Sequence, residues 1–319
     1  MPTPLASDVH INKPLSNISI ALIQDQSMFQ TDSIFPNIPV QMQSDLFYTY
    51  DQGDFLRNEM EERAPGTETK GSGYKLGQDN YFCKVYGFHH DIDDQRRANQ
   101  DSPLALDREA VTFVTDKANL FREANWCANF FSAGNWGTDA TVATGWQDDA
   151  SDPITDIEEI VTDMLEKTGK IANTMVLGRN VYNKLKNHPD VVDRIKAGQT
   201  SGIAITKHQQ LAELFEMERI IVLNAIQNTA KEGATDVISF IANKHGCLIC
   251  YSNRNPGLMT ASAGYTFSWD GLYGASAYGS RIKKFRMEAI ESDRIEIGMA
   301  YAVKQIAVDL GTYIPAATS

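Results

Sequence analysis

The most constraining stretch of this chain is one amphipathic run that begins near residue 102 and ends near residue 131. Leu106, Ala110, Phe113, Val114, Leu120, Phe121, Ala124, Ala128 and Phe131 recur at three- and four-residue spacing, the repeat of one helix face. Asp107, Arg108, Asp116, Lys117, Arg122 and Glu123 fill the other face. Ser102 is placed to cap the start, and Pro103 suits a first turn. The pattern predicts a helix of about thirty residues, roughly 45 Å at 1.5 Å per residue. Helices in compact domains average about 11–12 residues. A helix this long acts as a spine, and the remaining elements must be arranged along it.

The chain before the spine has little core of its own. Residues 1–45 read as an extended arm, punctuated by Pro2, Pro4, Pro14, Pro36 and Pro39 and without a helical period. Such an arm must be ordered by packing on something else. Two apolar-aromatic stretches come next, Leu46-Phe47-Tyr48-Thr49-Tyr50 and Tyr81-Phe82-Cys83-Lys84-Val85-Tyr86. Between them, residues 65–73 (PGTETKGSG) carry turn and loop chemistry. Together they predict a long β-hairpin with a polar tip. A hairpin alone is marginal in water and needs a surface to lie on.

Beyond the spine, helix and strand alternate. Residues 134–144 form a polar, Gly-rich loop. Asp152-Pro153 opens a helix with an apolar stripe of Ile154, Ile157, Ile160, Val161, Met164 and Leu165. Its acids Asp156, Glu158 and Glu159 sit early, where the helix dipole favours them. Thr174-Met175-Val176-Leu177 reads as a short buried strand closed by Gly178. Two short helices come next, the second begun by His188-Pro189-Asp190, and residues 207–216 form another. Residues 219–225 and 237–251 read as strands, and residues 255–280 as a long ordered loop rich in Gly, Ala, Ser and Tyr. The end returns to strand. Ile295, Ile297, Met299, Tyr301 and Val303 alternate in one phase, and Ile306, Val308 and Leu310 in the other. A bulge or turn is therefore expected near Lys304-Gln305.

Catalytic and binding motifs are weak. Cys247-Leu248-Ile249-Cys250 has C-x-x-C form, but it lies in an apolar run, and residues three apart on a strand face opposite ways. Two small buried apolar residues account for it. The four cysteines are too scattered for a disulfide framework. Gly66 and Gly71 have the spacing of a phosphate-binding loop, but Ser72 stands where the lysine belongs. Gly71, Gly73 and Gly77 miss the dinucleotide spacing. His89, His90, Asp91, Asp93 and Asp94 are the most chemistry-like cluster, suited by residue type to a divalent metal. The alternative is a polar junction between hairpin and spine, and neighbours on a strand do not share a face. No metal, cofactor or catalytic residue is assigned. No stretch is long and apolar enough to span a bilayer, and no secretory signal is visible.

Charge points the same way. The formal net charge is −12, which opposes gripping nucleic acid by counterion release. Within this acidic chain, Arg281, Lys283, Lys284 and Arg286 form a basic run. Pairing with acids is favoured over nucleic acid, mostly across subunits. The hairpin supplies Asp51, Asp54, Glu59, Glu61 and Glu62 as partners.

The order of parts resembles the tailed-phage major capsid protein fold of the Hong Kong 97 type, over nearly the whole chain. The segments that carry the resemblance are NTMVLG (173–178), VYNKL (181–185), HPDVVDRIK (188–196), LAELF (211–215), RIIV (219–222), NTA (228–230), YTFSW (265–269) and DRIEI (293–297). It implies an α+β chain with an N-terminal arm at 1–45 and an E-loop hairpin at 46–92. A peripheral domain with the spine helix comes next at 93–145, then an axial α/β domain at 146–280 and returning peripheral strands at 281–319. It further implies a structural subunit, not an enzyme. Pentamers and hexamers would close into an icosahedral phage head around double-stranded DNA, held without sequence-specific binding. Portal, scaffolding and decoration proteins are the implied partners, with assembly in the host cytoplasm and no membrane. Assembly contacts are expected at Lys70, Lys75, Glu59, Glu61, Glu62, Arg281, Lys283, Lys284 and Arg286. Two alternatives remain at this stage: an encapsulin-type compartment shell, and a metal-dependent α/β enzyme using the cluster at 89–94.

Some members of this fold join an E-loop lysine to an asparagine near the C-terminus. Lys70 and Lys75 are available as nucleophiles, but no asparagine occurs after Asn255, so the amide electrophile is missing. Asp309 is a poor substitute, because a carboxylate resists attack by an amine and carries no good leaving group. Boiled particles on a denaturing gel are expected to give one band near 35.4 kDa, the chain mass. A ladder that survives reduction would contradict this.

Overall fold

The computed structural model describes residues 24–100, 105–197, 208–257, 259–274 and 276–318. Two single-turn 3-10 helices (Gln26–Met28 and Thr31–Ser33) lead into β1 (Asn37–Val40). Then come β2 (Ser44–Tyr50), α1 (Gln52–Leu56), β3 (Leu76–Phe82), β4 (Lys84–Asp93) and α2 (Asp94–Ala98). The spine is α3 (Leu106–Phe130). Beyond it lie β5 (Thr138–Asp139), α4 (Pro153–Thr168), β6 (Thr174–Gly178), α5 (Arg179–Leu185), α6 (Pro189–Ala197) and α7 (His208–Leu214). Next are β7 (Arg219–Leu223), β8 (Ile226–Asn228), β9 (Ile238–Phe240) and β10 (Cys247–Cys250). The chain ends through β11 (Gly264–Trp269), α8 (Asp270–Tyr273), β12 (Ser280–Met287), β13 (Ser292–Gln305) and β14 (Gly311–Ile314).

Two five-stranded sheets organise these elements. The first is built on β13, whose early residues lie between β12 and β4 and whose last residues pair with β11. β1 extends this sheet as a parallel neighbour of β11. The second runs β5-β14-β10-β6-β7. Its central strands β6 and β10 are buried along their whole length, which is why they read as unbroken apolar runs. On β10, Cys247 and Ile249 face one core while Leu248 and Cys250 face another, as the two-residue pleat requires.

The spine connects the sheets. Its early residues Ala110, Val114 and Ala118 pack on Ile92, Ile295, Ile297 and Met299 of the first sheet. Its late residues Trp126, Cys127 and Phe130 pack with Val176, Leu248 and Tyr313 of the second. At 25 residues it is shorter than the sequence suggests, about 37 Å at 1.5 Å per residue. Ser102 and Pro103, expected to start it, lie outside the described residues, as does Lys207 at the expected start of α7. Among the described residues, no helix is long and apolar enough to cross a membrane.

Four expectations change. The loop expected at 255–280 contains β11, a strand buried on both faces, and the short helix α8. Its glycines and alanines mark close packing rather than irregularity: a Cβ on Gly264 would meet the Phe35 ring and the Lys304 carbonyl. The strand expected at 237–251 is split by a turn at Asn243-Lys244-His245 into β9 and β10. That turn crosses Gly178 so closely that no Cβ fits there. The hairpin's second stretch breaks at Cys83, whose N–H donates to the Gln43 carbonyl at 2.8 Å. β3 pairs with β2, while β4 joins the first sheet. Last, the arm from residue 24 finds its surface on its own chain. Ile34 and Phe35 are 0% and 1% exposed, with Phe35 set against Trp126, Phe130 and Trp136 at 5.4–6.5 Å.

Phe35→Ala is therefore expected to cost about 3–5 kcal/mol, the range for a large aromatic removed from a packed core. Urea unfolding of the full chain measures it. A loss below about 1 kcal/mol would mean that the arm is not part of this core.

Candidate assembly surfaces

The hairpin pairs in register from Ser44 opposite Phe82 to Tyr50 opposite Leu76. Asp51 caps α1 by accepting from the Gly53 N–H at 3.0 Å, which turns the chain away from the strands. Tyr50, Phe55 and Tyr74 form a small aromatic cluster at 5.4–6.0 Å. Beyond it, residues 57–75 have no helix or strand and are almost entirely exposed. The tip's ion pairs are local: Arg57 with Asp54 at 3.7 Å and Glu59 at 3.3 Å, and Lys70 with Glu61. The Lys75 backbone N–H donates to Asp54 at 3.0 Å, and Glu62 is exposed.

The hairpin is held at its base and again beyond its strands, where the Gln52 side chain donates to the Lys167 carbonyl at 2.6 Å. Tyr81 stacks on Phe267 at 4.5 Å and Phe47 reaches the same ring at 6.0 Å. Lys304 donates to Asp79 at 2.6 Å and to the Asn80 carbonyl. Met60 is 94% exposed, and Leu56 and Tyr48 are each 64% exposed. A cleft of about 570 Å³ opens beside the base, lined by Ile38, Phe47, Phe55, Met259, Tyr265 and Phe267 among others. A second apolar strip runs along the outer side of the spine, where Phe88, Phe113 and Phe121 are all partly exposed. Apolar surface of this extent on a single chain marks contact with other proteins.

The basic run lies on β12, an edge strand of the first sheet. Its partners are in the same chain, not on the hairpin as the sequence suggests. Lys283 pairs with Glu296 across the β12–β13 register at 3.0 Å. Lys284 reaches Asp107 at 3.0 Å and Asp293 at 3.4 Å, and Arg286 holds Asp94 with two bonds of 2.6 Å. Arg97 joins the same group through Asp107 and Asp293, both at 2.9 Å. Arg281 stacks its guanidinium over Tyr273 at 4.9 Å. The start of the spine places Asp107 over this sheet, and that brings the partners together. Hydrogen bonds from Arg97 first and then Lys284 hold the Asp107 carboxyl down to about 2. A charged edge of this kind also resists pairing with another strand.

The cluster at 89–94 is committed elsewhere. Asp91 accepts two bonds from Arg294 at 2.7 and 2.8 Å, Asp93 caps α2 through the Arg96 N–H at 2.7 Å, and Asp94 is held by Arg286. His89 and His90 are neighbours on β4 and face opposite sides of it. Among the described residues, no three His, Cys, Asp or Glu side chains converge as a metal site. All four cysteines are free and buried. Burial pushes the Cys83 thiol up to about 11 and the Cys250 thiol up to about 12, far from the reactive range.

One arrangement is invisible to sequence reading. Ser151 Oγ lies 3.1 Å from His188 Nε2, and Asp190 Oδ2 lies 3.8 Å from Nδ1. The serine hydroxyl, however, donates to the Asp148 carbonyl at 2.7 Å, and Nε2 is 3.2 Å from that same oxygen. The serine's hydrogen is thus directed at the carbonyl and not at the imidazole, which is not the arrangement of a nucleophile and its base. Serine and histidine are both buried, and together they tie the loop before α4 to the start of α6. Nothing in the residue spacing signals the pair, because 37 positions separate its members.

Comparison with known proteins gives a consistent result. Residues 134–261 match the family described as phage major capsid protein E. A curated relative, the major capsid protein of Burkholderia phage BcepMu, is 25% identical over 231 residues, covering 71% of this chain and 73% of its own. A phage-related protein of Bordetella bronchiseptica RB50 superposes with a TM-score of 0.67 at 20% identity, covering 93% of this chain and 95% of its own. The capsid of cyanophage P-SCSP1u gives 0.63 at 12% identity, with 99% of each chain covered. An encapsulin of Synechococcus elongatus PCC 7942 shares the fold at 0.58 and 9% identity, covering 100% of this chain and 98% of its own.

The ion network carries a pH signature. A carboxyl depressed in the folded chain contributes stability above its unfolded value of about 3.9, and loses it as pH falls through the folded value. Asp107 is half exposed, so its contribution is about 0.5–1 kcal/mol. Asp107→Asn is expected to lower urea stability by that amount at pH 7. The gap to wild type should close between pH 4 and pH 2. A gap that persists at pH 2 would assign the effect to packing instead.

Proposed function

We infer, from the capsid-family match through the middle of the chain and the capsid fold along its length, that this protein is a major capsid protein of a tailed bacteriophage. It is a structural subunit of an icosahedral shell and a component of the virion. The observation that carries this reading is the hairpin, a long projection whose irregular tip is almost entirely exposed and whose apolar side chains Tyr48, Leu56 and Met60 are uncovered. Such an element is unfavourable on a lone subunit and favourable once neighbours cover it.

In this reading, residues 1–45 act as arm, 46–92 as E-loop, 93–145 with 281–319 as peripheral domain and 146–280 as axial domain. Pentamers and hexamers of the chain close the shell. Portal, scaffolding and decoration proteins are its partners, and assembly proceeds in the host cytoplasm. Double-stranded DNA is enclosed without sequence-specific contact, since a net charge of −12 gives the wall little to bind it with. No catalysis is assigned, and the carboxylates at 91, 93 and 94 serve salt bridges and a helix cap. An encapsulin-type shell shares the fold, but the curated relative is a phage protein, which favours the phage head. Glu59, Glu61, Glu62, Lys70 and Lys75 are proposed contacts of the hairpin with neighbouring subunits. Arg281, Lys283, Lys284 and Arg286 are proposed to contribute through the face that their network holds in shape.

Deleting residues 65–73 tests this. The variant is expected to remain folded by circular dichroism, because this segment belongs to no core. Sedimentation and negative-stain microscopy should then show no shells, or shells that dissociate at lower urea than wild type. Shells of normal yield and stability from the deletion would refute the role given to the hairpin.

A further inference from the structure

One buried acid belongs to none of the surfaces above. Glu123, on the spine, is 1% exposed. Its Oε2 accepts both donors of Thr31 in the arm, the hydroxyl at 2.7 Å and the backbone N–H at 3.1 Å. Its Oε1 is buried with no hydrogen-bond partner. The neighbouring cation is not available to it. Arg122 pairs with Asp32 at 2.9 Å and stacks over the Tyr278 ring at 4.2 Å.

The groups around this carboxyl come from three directions. The arm contributes Thr31, the Gln30 backbone and the Asp32 carboxylate; the spine contributes Arg122 and Cys127; the turn before β12 and β13 contribute Tyr278 and Tyr301, which flank Asp32 and Arg122. Desolvation is the largest influence on Glu123, and Asp32 repels a second negative charge. The Thr31 donors and the Gln30 amide oppose this but do not overcome it. A buried neutral acid with one unmet polar atom costs far less than a buried, uncompensated carboxylate.

We propose that Glu123 is a positioning residue that helps hold the N-terminal arm on the spine as the neutral acid, so that loss of its proton to solvent weakens the docking of residues 26–35. Of the arm's other polar contacts with the body of the chain, Asp32 titrates in the same direction, raised by burial against the pull of Arg122, while the rest carry no titrating carboxyl. Arg219 donates to the Ser33 and Ile34 carbonyls, Ser252 donates to the Ile34 carbonyl, and the Tyr278 hydroxyl donates to the Asp32 carbonyl. Because the acid is raised in the folded chain, docking is at full strength below the unfolded carboxyl value and weakens as pH rises through the folded one. This concerns the single subunit and goes beyond its role in a shell.

Hydrogen exchange of the full-length chain between pH 4 and pH 9, expressed as protection relative to the chemical exchange rate, tests it. Protection of residues 26–35 is expected to fall, by at most about tenfold per pH unit, from the ordinary carboxyl value up to the raised Glu123 midpoint and to level off above it, while the spine amides stay protected. Glu123→Gln, which keeps the shape and removes this titration, should flatten the profile to the smaller fall that Asp32 contributes, and Glu123→Gln with Asp32→Asn should give a flat one. Thr31→Val removes a hydroxyl that favours the ionised form, and should move the midpoint to higher pH. A purely structural contact would instead lower protection equally at every pH. A flat wild-type profile, or a glutamine variant that falls in parallel with wild type, would overturn the proposal.

Discussion

Burial of one helix against two sheets is the constraint on which the rest of this structure depends. Ala110, Val114 and Ala118 lie against the β13 sheet, and Trp126, Cys127 and Phe130 lie in the core of the β10 sheet. The small side chains at the start let the helix approach the sheet closely. The large ones at the end fill the space shared with the arm. Because a rigid element spans both cores, the sheets are set relative to one another by side-chain size rather than by a loop. The arm then closes the gap at the far end, where Phe35 wedges between Trp126, Phe130 and Trp136.

Much of this is legible from residues alone, for physical reasons. The spine is long and periodic, so its apolar stripe stands out. β6 and β10 are buried on both faces and appear as apolar runs. The phase flip near Lys304-Gln305 marks the end of β13. The hidden parts lie where close packing imitates a loop. Gly264, Ala263 and Ser262 look like linker residues, yet all three are buried, and Gly264 makes room for Phe35. The partners of the basic run are equally hidden. Asp94, Asp107 and Asp293 are brought to β12 by the fold, and no local rule distinguishes them from the acids of the hairpin.

Charge is distributed with a consistent logic. The chain is strongly acidic, and cations on and around the first sheet are spent inside the subunit, in the network around Asp107 and in the Arg294 to Asp91 pair. That leaves Glu123 without a counter-ion at the point where the arm meets the spine. A cation placed there would fix the arm permanently. A buried acid instead lets a proton tune the strength of the attachment proposed above, while the apolar contacts of Ile34 and Phe35 hold the arm at every pH.

The hairpin tip settles its own charges, Arg57 with Asp54 and Glu59, and Lys70 with Glu61. A shell closed from fivefold and sixfold rings presents one sequence with several non-identical surroundings. A tip that demanded a charged partner at a fixed distance would satisfy one of those surroundings and strain the others. A tip that is self-neutralised, irregular in backbone and equipped with Met60, Leu56 and Tyr48 can settle into each of them at similar cost. In the shell proposed above, the quasi-equivalence that curvature requires would be met by this undemanding segment, with strict geometry reserved for the spine and its two cores.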